Sequence, residues 1–212
     1  SEGRFEFAEL PAGRFSMSAN KSGYVGLQYG QRRPFEAGTP VSVAESEHVE
    51  RIDFALIRGG VIVVRVIDDF GEPLAGAQIQ VQRYQYGPDG ERRLTQAQIG
   101  TPFMTMTDDR GELRAFGLTP GEYVISANVR NIGVPASSDE AREGFSPTFY
   151  PGTSSAAEAQ AISIGAGEER SIQFAMTAAR LARISGTVVN SEGLPAAGAQ
   201  LLVMTRQGNG GS

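Results

Sequence analysis

An internal repeat is the feature that most constrains how this chain can fold. Residues 2–20 match residues 110–128 without a gap, 108 positions later. The identical pairs in this match are Gly3/Gly111, Leu10/Leu118, Gly13/Gly121, Ser18/Ser126, Ala19/Ala127 and Asn20/Asn128. Residues 51–56 match residues 171–176 at an offset of 120, so a loop between the two matches differs in length. Self-similarity of this kind predicts a chain built from repeated units.

A third match divides the chain into parts. Residues 66–78 recur as residues 188–200, 122 positions later. The repeat therefore predicts the second half of one unit in residues 1–58, a complete unit in 59–180, and the opening strands of a third unit in 181–212. The junctions between units are short, which predicts a stiff row of domains. The incomplete units predict exposed strand edges, so these residues in isolation are expected to associate head to tail, whereas the full protein is not.

Within a unit, apolar residues recur with a period of two. In 122–130, Tyr123, Ile125 and Ala127 alternate with polar residues, which is typical of a strand with one buried face. The complete unit is predicted to hold seven strands, at 61–68, 77–86, 102–107, 112–116, 122–130, 161–165 and 170–177. Short strands at this density predict an all-β fold, a tandem antiparallel seven-stranded β-sandwich. Residues 154–161 are the best candidate for a single helical turn.

Acidic residues precede glycines at two predicted turns. Asp68-Asp69 and Asp108-Asp109 each lie just before a glycine, and paired carboxylates on loops suit a calcium ion. The alternative is that they cap the turns by accepting backbone hydrogen bonds. The third repeat has Asn190 in the place of Asp68, and an amide keeps the capping role but weakens a cation site. The substitution favours turn capping, and no metal site is predicted.

The turn motifs resemble a known family. They are Asp68-x-x-Gly71-x-Pro73-Leu74-x-Gly76-Ala77, Thr107-Asp108-Asp109-Arg110-Gly111-Glu112-Leu113 and Leu118-Thr119-Pro120-Gly121-Glu122-Tyr123. Together they resemble the carboxypeptidase regulatory-like domain. The resemblance implies a transthyretin-like (prealbumin-like) β-sandwich, shared with Cna protein B-type repeats and grouped with carbohydrate-binding-like folds. It also implies a module of surface proteins, of outer-membrane receptors, or of proteins with a peptidase domain, where it is an accessory to the chemistry.

The resemblance raises the question of a covalent cross-link. Cna protein B-type repeats often carry a Lys–Asn isopeptide bond, which needs a lysine on an early strand. The single lysine of this chain is Lys21, in a late segment of the first, partial unit. That cross-link is therefore excluded for residues 59–180.

Composition excludes several functions. The chain has no Cys and one His, so thiolate zinc sites, cysteine nucleophiles and sites with several histidines are excluded. The net charge is −5, and the only basic pairs are Arg32-Arg33 and Arg92-Arg93, both predicted to be solvated loop charges, so nucleic acid is not a predicted partner. No apolar run approaches the length of a membrane span. His48 has no neighbours that suggest a triad, and we predict no catalytic residue and no cofactor.

Aromatic residues are the candidates for ligand binding. Tyr84, Tyr86, Phe149 and Tyr150 are predicted to form part of a platform for a sugar or a peptide, because amphipathic rings contact both apolar and polar groups. The alternative is that Phe149 and Tyr150 anchor the 131–148 loop onto the sandwich. The alignment places Tyr29 opposite Tyr150 in a repeat whose loop is shorter, which favours anchoring. If the unit binds a ligand, that loop and the 87–101 loop are the predicted location.

The sequence therefore predicts a non-catalytic tandem-repeat module, a spacer, adhesion or protein–protein interaction segment of an exported or cell-surface bacterial protein. Its predicted location is extracellular, periplasmic or on the outer membrane. Its predicted partners are neighbouring repeats of the same chain. The alternative is a carbohydrate- or peptide-binding module that uses the aromatic and long-loop face, with a glycan or protein ligand.

Overall fold

The structure is a computed structural model that describes residues 3–32, 36–100, 105–129, 143–180, 182, 184, 186–191, 193–196 and 198–201. Residues 1–180 form one compact unit and residues 181–212 a second. The described residues are all-β, apart from one 3-10 turn at Ala156–Glu158 inside the predicted helical segment. The predicted boundary between residues 58 and 59 stays a prediction, because residues on both sides of it belong to the first compact unit.

The described strands follow one another in the following order: β1 (Gly13–Phe15), β2 (Ser18–Ala19), β3 (Leu27–Gln28), β4 (Val41–Val43), β5 (Gly60–Ile67), β6 (Gln78–Tyr86), β7 (Arg92–Gln96), β8 (Glu112–Leu118), β9 (Gly121–Asn128), β10 (Glu143–Ser146), β11 (Thr148–Phe149), β12 (Ile162–Ile164), β13 (Glu169–Ala175) and β14 (Thr177–Arg180).

Two sheets enclose one core in residues 59–180. The larger sheet has the order β11-β9-β6-β7, with β12 also paired to β9, and the smaller has the order β13-β5-β8. Every second residue of these strands faces the core, as the period of two predicts. The core residues from the two sheets include Ile62, Val64, Val66, Ile79, Val81, Ala115, Leu118, Tyr123, Ile125, Ala127 and Phe174. The predicted all-β sandwich is confirmed.

The smaller sheet is mixed, so the prediction of a wholly antiparallel sandwich is wrong for one strand pair. β5 and β13 are parallel over seven residue pairs, from Val61↔Glu169 to Ile67↔Ala175, while β8 is antiparallel to β5. Antiparallel order is enforced only where a tight turn joins two strands. The whole of the larger sheet separates β5 from β13 along the chain, so the last strand returns beside the first in the same direction.

Three strands form where the sequence predicts loops. β7 lies within the predicted 87–101 loop, because a turn at 87–90 folds the chain back onto β6; Gly87 N–H donates to Glu91 O at 2.9 Å. β10 and part of β11 lie within the predicted 131–148 loop, of which residues 131–142 are outside the described residues. The predicted strand 102–107 lies partly outside them too, and Met106 forms only an isolated bridge with Gln78.

The internal repeat is visible in the backbone. β1 pairs with β4 as β9 pairs with β12, and β2 pairs with β3 as β9 pairs with β11. Tyr29 N–H donates to Met17 O and Tyr150 N–H donates to Ile125 O, both at 2.9 Å. Corresponding residues of two sequence repeats therefore make corresponding hydrogen bonds.

The acidic turns confirm the capping interpretation. Asp68 Oδ1 accepts hydrogen bonds from the N–H groups of Phe70 at 2.9 Å and Glu72 at 2.8 Å. Asp108 Oδ1 accepts from Arg110 at 3.0 Å and Glu112 at 2.8 Å. In the third repeat Asn190 Oδ1 accepts from Leu194 N–H at 2.9 Å. One turn geometry is thus built three times, with a side-chain oxygen at the first position and a glycine of positive φ three residues later.

Asp108 gives this turn a testable pH dependence. The hydrogen bond from Glu112 N–H is the largest influence that holds the pKa of the Asp108 carboxyl below its usual value. A lowered pKa in the folded state stabilises the fold above the unfolded-state pKa, and the effect is lost as the pH falls through the folded-state pKa. We expect Asp108→Ala to lower the melting temperature at pH 7 and to reduce the difference in stability between pH 7 and about pH 2. Asp108→Asn should keep the turn and most of the stability at pH 7.

Asp109→Ala is the matched control, because it removes a neighbouring exposed carboxylate that does not cap the turn. Thermal melts of the four proteins at both pH values measure the effect. Equal losses in the Asp108→Ala and Asp109→Ala variants would contradict the capping account.

Candidate functional site

Tyr84 and Tyr86 lie on the outer face of the larger sheet. On β6 the even-numbered positions 84 and 86 lie on the face opposite to the buried Ile79 and Val81, so the two tyrosine side chains point away from the core. The guanidinium carbon of Arg92 lies 3.7 Å from the centre of the Tyr84 ring, a cation–π contact across the β6–β7 hairpin. Tyr86 is exposed. The hairpin therefore presents aromatic and guanidinium surface to solvent, and Arg92 is part of a strand, not a loop charge as the sequence predicts.

Phe149 and Tyr150 lie at a different position on the larger sheet. Phe149 pairs with Ser126 of β9, and Ser126 pairs in turn with Gln80 of β6. Gln80 is four residues from Tyr84, about 13 Å along the strand. The structure therefore does not bring the four aromatic residues into one platform, and a ligand-binding role for Tyr84 and Tyr86 stays a prediction.

Tyr150 has the geometry of an anchor. Its ring packs against the core and meets the Phe174 ring edge-on, with centroids 6.1 Å apart. In the preceding repeat, Tyr29 meets Phe54 in the same way at 6.1 Å. An edge-to-face aromatic pair that recurs in two repeats with loops of different length belongs to the repeat itself, which favours the anchoring alternative.

The structure adds a groove that the sequence does not predict. It has a volume of about 440 Å³ and lies between residues of the segment 18–31, together with Glu36, and strands β6, β8 and β9. Polar side chains supply much of its lining: Ser18, Asn20, Gln28, Glu36, Arg83, Gln98 and Thr119. Such a groove can donate hydrogen bonds through Arg83 and the amides and accept them through Glu36.

The base of the groove is a hydrogen-bonded set. Arg83 Nη1 donates to Thr119 Oγ1 at 3.3 Å, and the Tyr123 hydroxyl donates to Thr119 O at 2.5 Å. Burial raises the pKa of the Tyr123 hydroxyl, so it stays protonated and keeps donating this bond. Arg83 lies on the same face of β6 as Ile79 and Val81, which both face the core. A charged residue in phase with buried apolar ones is the sequence signal that identifies this position.

His48 is the single histidine of the chain. The Nε2 atom of His48 lies 3.1 Å from Glu50 Oε1, and both side chains are largely exposed. Over the same described ranges, no three side chains of His, Asp or Glu gather in a way that could hold a metal ion. Nor does any helix in the part of the chain that the structure describes have the length and apolar character to cross a bilayer.

Comparison with known proteins gives structural likenesses only. No protein-family model matches the chain, and no curated protein matches it. The resemblance to the carboxypeptidase regulatory-like domain therefore stays a prediction.

Three of the similar solved structures come from bacteria. Phospholipase PlaB from Legionella pneumophila is 16% identical, with a TM-score of 0.32, over 88% of this chain and 34% of that one. The TIE protein of Bacillus anthracis is 16% identical, with a TM-score of 0.33, over 81% of this chain and 26% of that one. A minor pilin of Streptococcus agalactiae is 16% identical, with a TM-score of 0.31, over 85% of this chain and 66% of that one. The chain thus spans about a third or less of the first two, and TM-scores this low carry no inference about function.

The contrast between Tyr150 and Tyr86 can be measured. We expect Tyr150→Ala to lower the free energy of unfolding by about 2 kcal/mol, because it removes a ring packed against the core. Tyr86→Ala, the matched control on the exposed hairpin, should change it by less than about 0.5 kcal/mol. Urea unfolding of the two variants and the unchanged chain gives both values. Equal effects would contradict the assignment of Tyr150 as an anchor.

Proposed function

We propose that this chain is a non-catalytic tandem-repeat module that acts as a spacer or adhesion segment in an exported or cell-surface bacterial protein. Its immediate partners are neighbouring repeats of the same protein. The observation that carries the proposal is the parallel pairing of β5 with β13. These are the first strand and the last sheet strand of the complete repeat's core.

Parallel terminal strands place the two ends of the repeat far apart. Because β5 and β13 run in the same direction, the chain reaches the sandwich at the start of β5 and leaves it at the opposite end of the same ladder. A repeat with its termini at opposite ends adds its own length to a row of domains. An antiparallel arrangement would return the chain to its starting point and would suit a spacer poorly.

The same pairing determines how tension acts on the domain. A pull on the two termini loads the β5–β13 ladder along its length, so the evenly spaced hydrogen bonds of the parallel pair share the force. The buried residues of β5 add the packing of the core to that resistance. This geometry suits a domain that has to hold other parts of a protein apart under load.

The junction before the repeat is tight. Val25 N–H donates to Ile57 O and Gly59 N–H donates to Gly23 O, both at 2.9 Å. A Cβ atom on Gly59 would lie only 2.6 Å from the Cα of Gly117, so the backbones touch at a point where only glycine fits. Gly59 thus bonds to Gly23 and closely approaches Gly117, and these contacts support a stiff connection over a flexible linker.

Single-molecule pulling tests the proposal. The chain has no native Cys, so introduced cysteines give unique attachment points. Handles at Arg58→Cys and Thr177→Cys pull along the β5–β13 ladder from opposite ends. We expect a higher unfolding force in this direction than in a control geometry, because the ladder bonds share the load.

The matched control uses Arg58→Cys and Ala166→Cys in the same fold. Gly167 N–H donates to Arg58 O at 3.0 Å, so these two positions lie at the same end of the ladder and the pull opens it one bond at a time. A domain that unfolds at an equal or lower force in the lengthwise direction is not built to carry tension between its ends, and the spacer proposal would then fail.

A further inference from the structure

One face of strand β6 carries a row of uncharged hydrogen-bonding side chains. The residues of β6 that point away from the core are, in order, Gln78, Gln80, Gln82, Tyr84 and Tyr86. Alternate residues of a strand lie about 7 Å apart, so the row extends over about 27 Å. Across the β6–β7 ladder, Gln96 lies opposite Gln82 and Arg92 lies opposite Tyr86. We call the row of β6, together with Gln96 and Arg92, the amide strip.

The amides of the strip are open to an incoming molecule. Within the part of the chain that the structure describes, the side-chain amides of Gln78, Gln80, Gln82 and Gln96 make no hydrogen bond to another protein group. Gln96 is exposed and the other three are half-buried. Each amide carries two N–H donors and a carbonyl acceptor. The strip therefore presents a row of donors and acceptors that a ligand can use.

Aromatic and guanidinium surface lies at one end of the strip. The Tyr86 side chain is 76% exposed and lies opposite Arg92. The guanidinium of Arg92 is stacked on the Tyr84 ring at 3.7 Å, which holds it on the outer face of the hairpin. A flat molecule with polar edges can therefore stack on Tyr86 and accept hydrogen bonds from Arg92.

The charge of the strip limits what it can bind. Among the outward residues of β6 and β7, Arg92 is the only charged one, and none is a carboxylate. On the β9 side, Val124 and Ser126 are buried beside Gln82 and Gln80, so the strip does not extend onto that strand. A surface of neutral amides with one guanidinium has no group to attract a cation, and it complements a neutral ligand.

The backbone around the strip disfavours a peptide that adds a strand. Such peptides bind at an exposed sheet edge through their main-chain groups. β6 lies between β9 and β7 and pairs with both, so the strip offers side chains alone. A ligand that fits needs groups that both donate and accept along its length, and an apolar face for Tyr86. The hydroxyls and ring faces of a sugar chain meet both needs.

We propose that the amide strip binds a linear, neutral oligosaccharide that lies along β6. The sugar hydroxyls exchange hydrogen bonds with the glutamine amides, and one sugar ring stacks on Tyr86 beside Arg92. The strip lies on the outer face of the larger sheet, whereas the load-bearing β5–β13 ladder belongs to the smaller one. The inference therefore goes beyond the spacer role and stands independently of it, because either can fail its own experiment alone.

NMR titration of the 212-residue chain with cellohexaose, maltohexaose and chitohexaose tests the proposal. At least one hexasaccharide should bind and shift the side-chain NH2 signals of the strip glutamines. The NH2 signal of Gln173 should not move, because Gln173 is exposed on β13, next to the buried Phe174 and on the outer face of the other sheet. Absence of binding for all three sugars, or shifts at Gln173 without shifts in the strip, would overturn the proposal.

Variants locate the contact. Tyr86→Ala should weaken binding about tenfold and Gln82→Ala about fivefold, which are the losses expected for one stacked ring and one hydrogen-bonded amide. The matched controls are Phe70→Ala, which removes a ring that is 85% exposed in the β5–β6 turn, and Gln173→Ala. Both controls should bind as the unchanged chain does. Equal affinities for the four variants would place the sugar elsewhere and contradict the proposal.

A polar peptide distinguishes the two kinds of ligand. A decapeptide of serine, threonine and asparagine carries hydroxyls and amides without sugar rings, so it should leave the NH2 signals of the strip unchanged. If this peptide shifts those signals and binds at least as tightly as the best hexasaccharide, the strip is a peptide site and the proposal is wrong.

Discussion

The pairing of β5 with two neighbours is the interaction on which the rest of the structure depends. β5 lies between β8 and β13, and its residues Ile62, Val64 and Val66 are fully buried in the core shared with the larger sheet. Because β13 is parallel to it, the repeat has its two ends at opposite ends of the sandwich. β5 thus covers the core, and its parallel pairing with β13 sets where the chain enters and leaves the sandwich. That pairing also sets the axis along which the domain would carry tension.

The pairing of the larger sheet recurs in the preceding repeat. Strands β1 to β4 reproduce it, because β1 pairs with β4 as β9 pairs with β12, and β2 pairs with β3 as β9 pairs with β11. Residues 4–10 and 49–55, the counterparts of β8 and β13, are not part of a strand. Hydrogen bonding within the larger sheet is therefore shared by both repeats, whereas the β13-β5-β8 sheet is described in the complete repeat.

Much of this architecture is readable from the sequence, since repetition and a period of two depend on local residue patterns. The turns at Asp68, Asp108 and Asn190 are predictable for the same reason: each needs one side-chain oxygen and a glycine three residues later. The parallel direction of β13 is not readable, because it depends on how the chain passes around the whole larger sheet. β7 is not predictable from the sequence pattern, because an edge strand that contains Arg92 and Arg93 has the polar composition of a loop. The groove beside Arg83 joins segments that are distant in sequence, so the position of Arg83 on the core face of β6 is a local signal, but the groove itself is not predictable from a local pattern.

Hydrogen exchange measured along the chain tests the central role of β5 most directly. We expect the amides of β5 to exchange among the slowest of the chain, while those of residues 4–10 exchange far faster than those of their counterparts in β8. Slow exchange of residues 4–10, or rapid exchange in β5, would contradict the central role of β5.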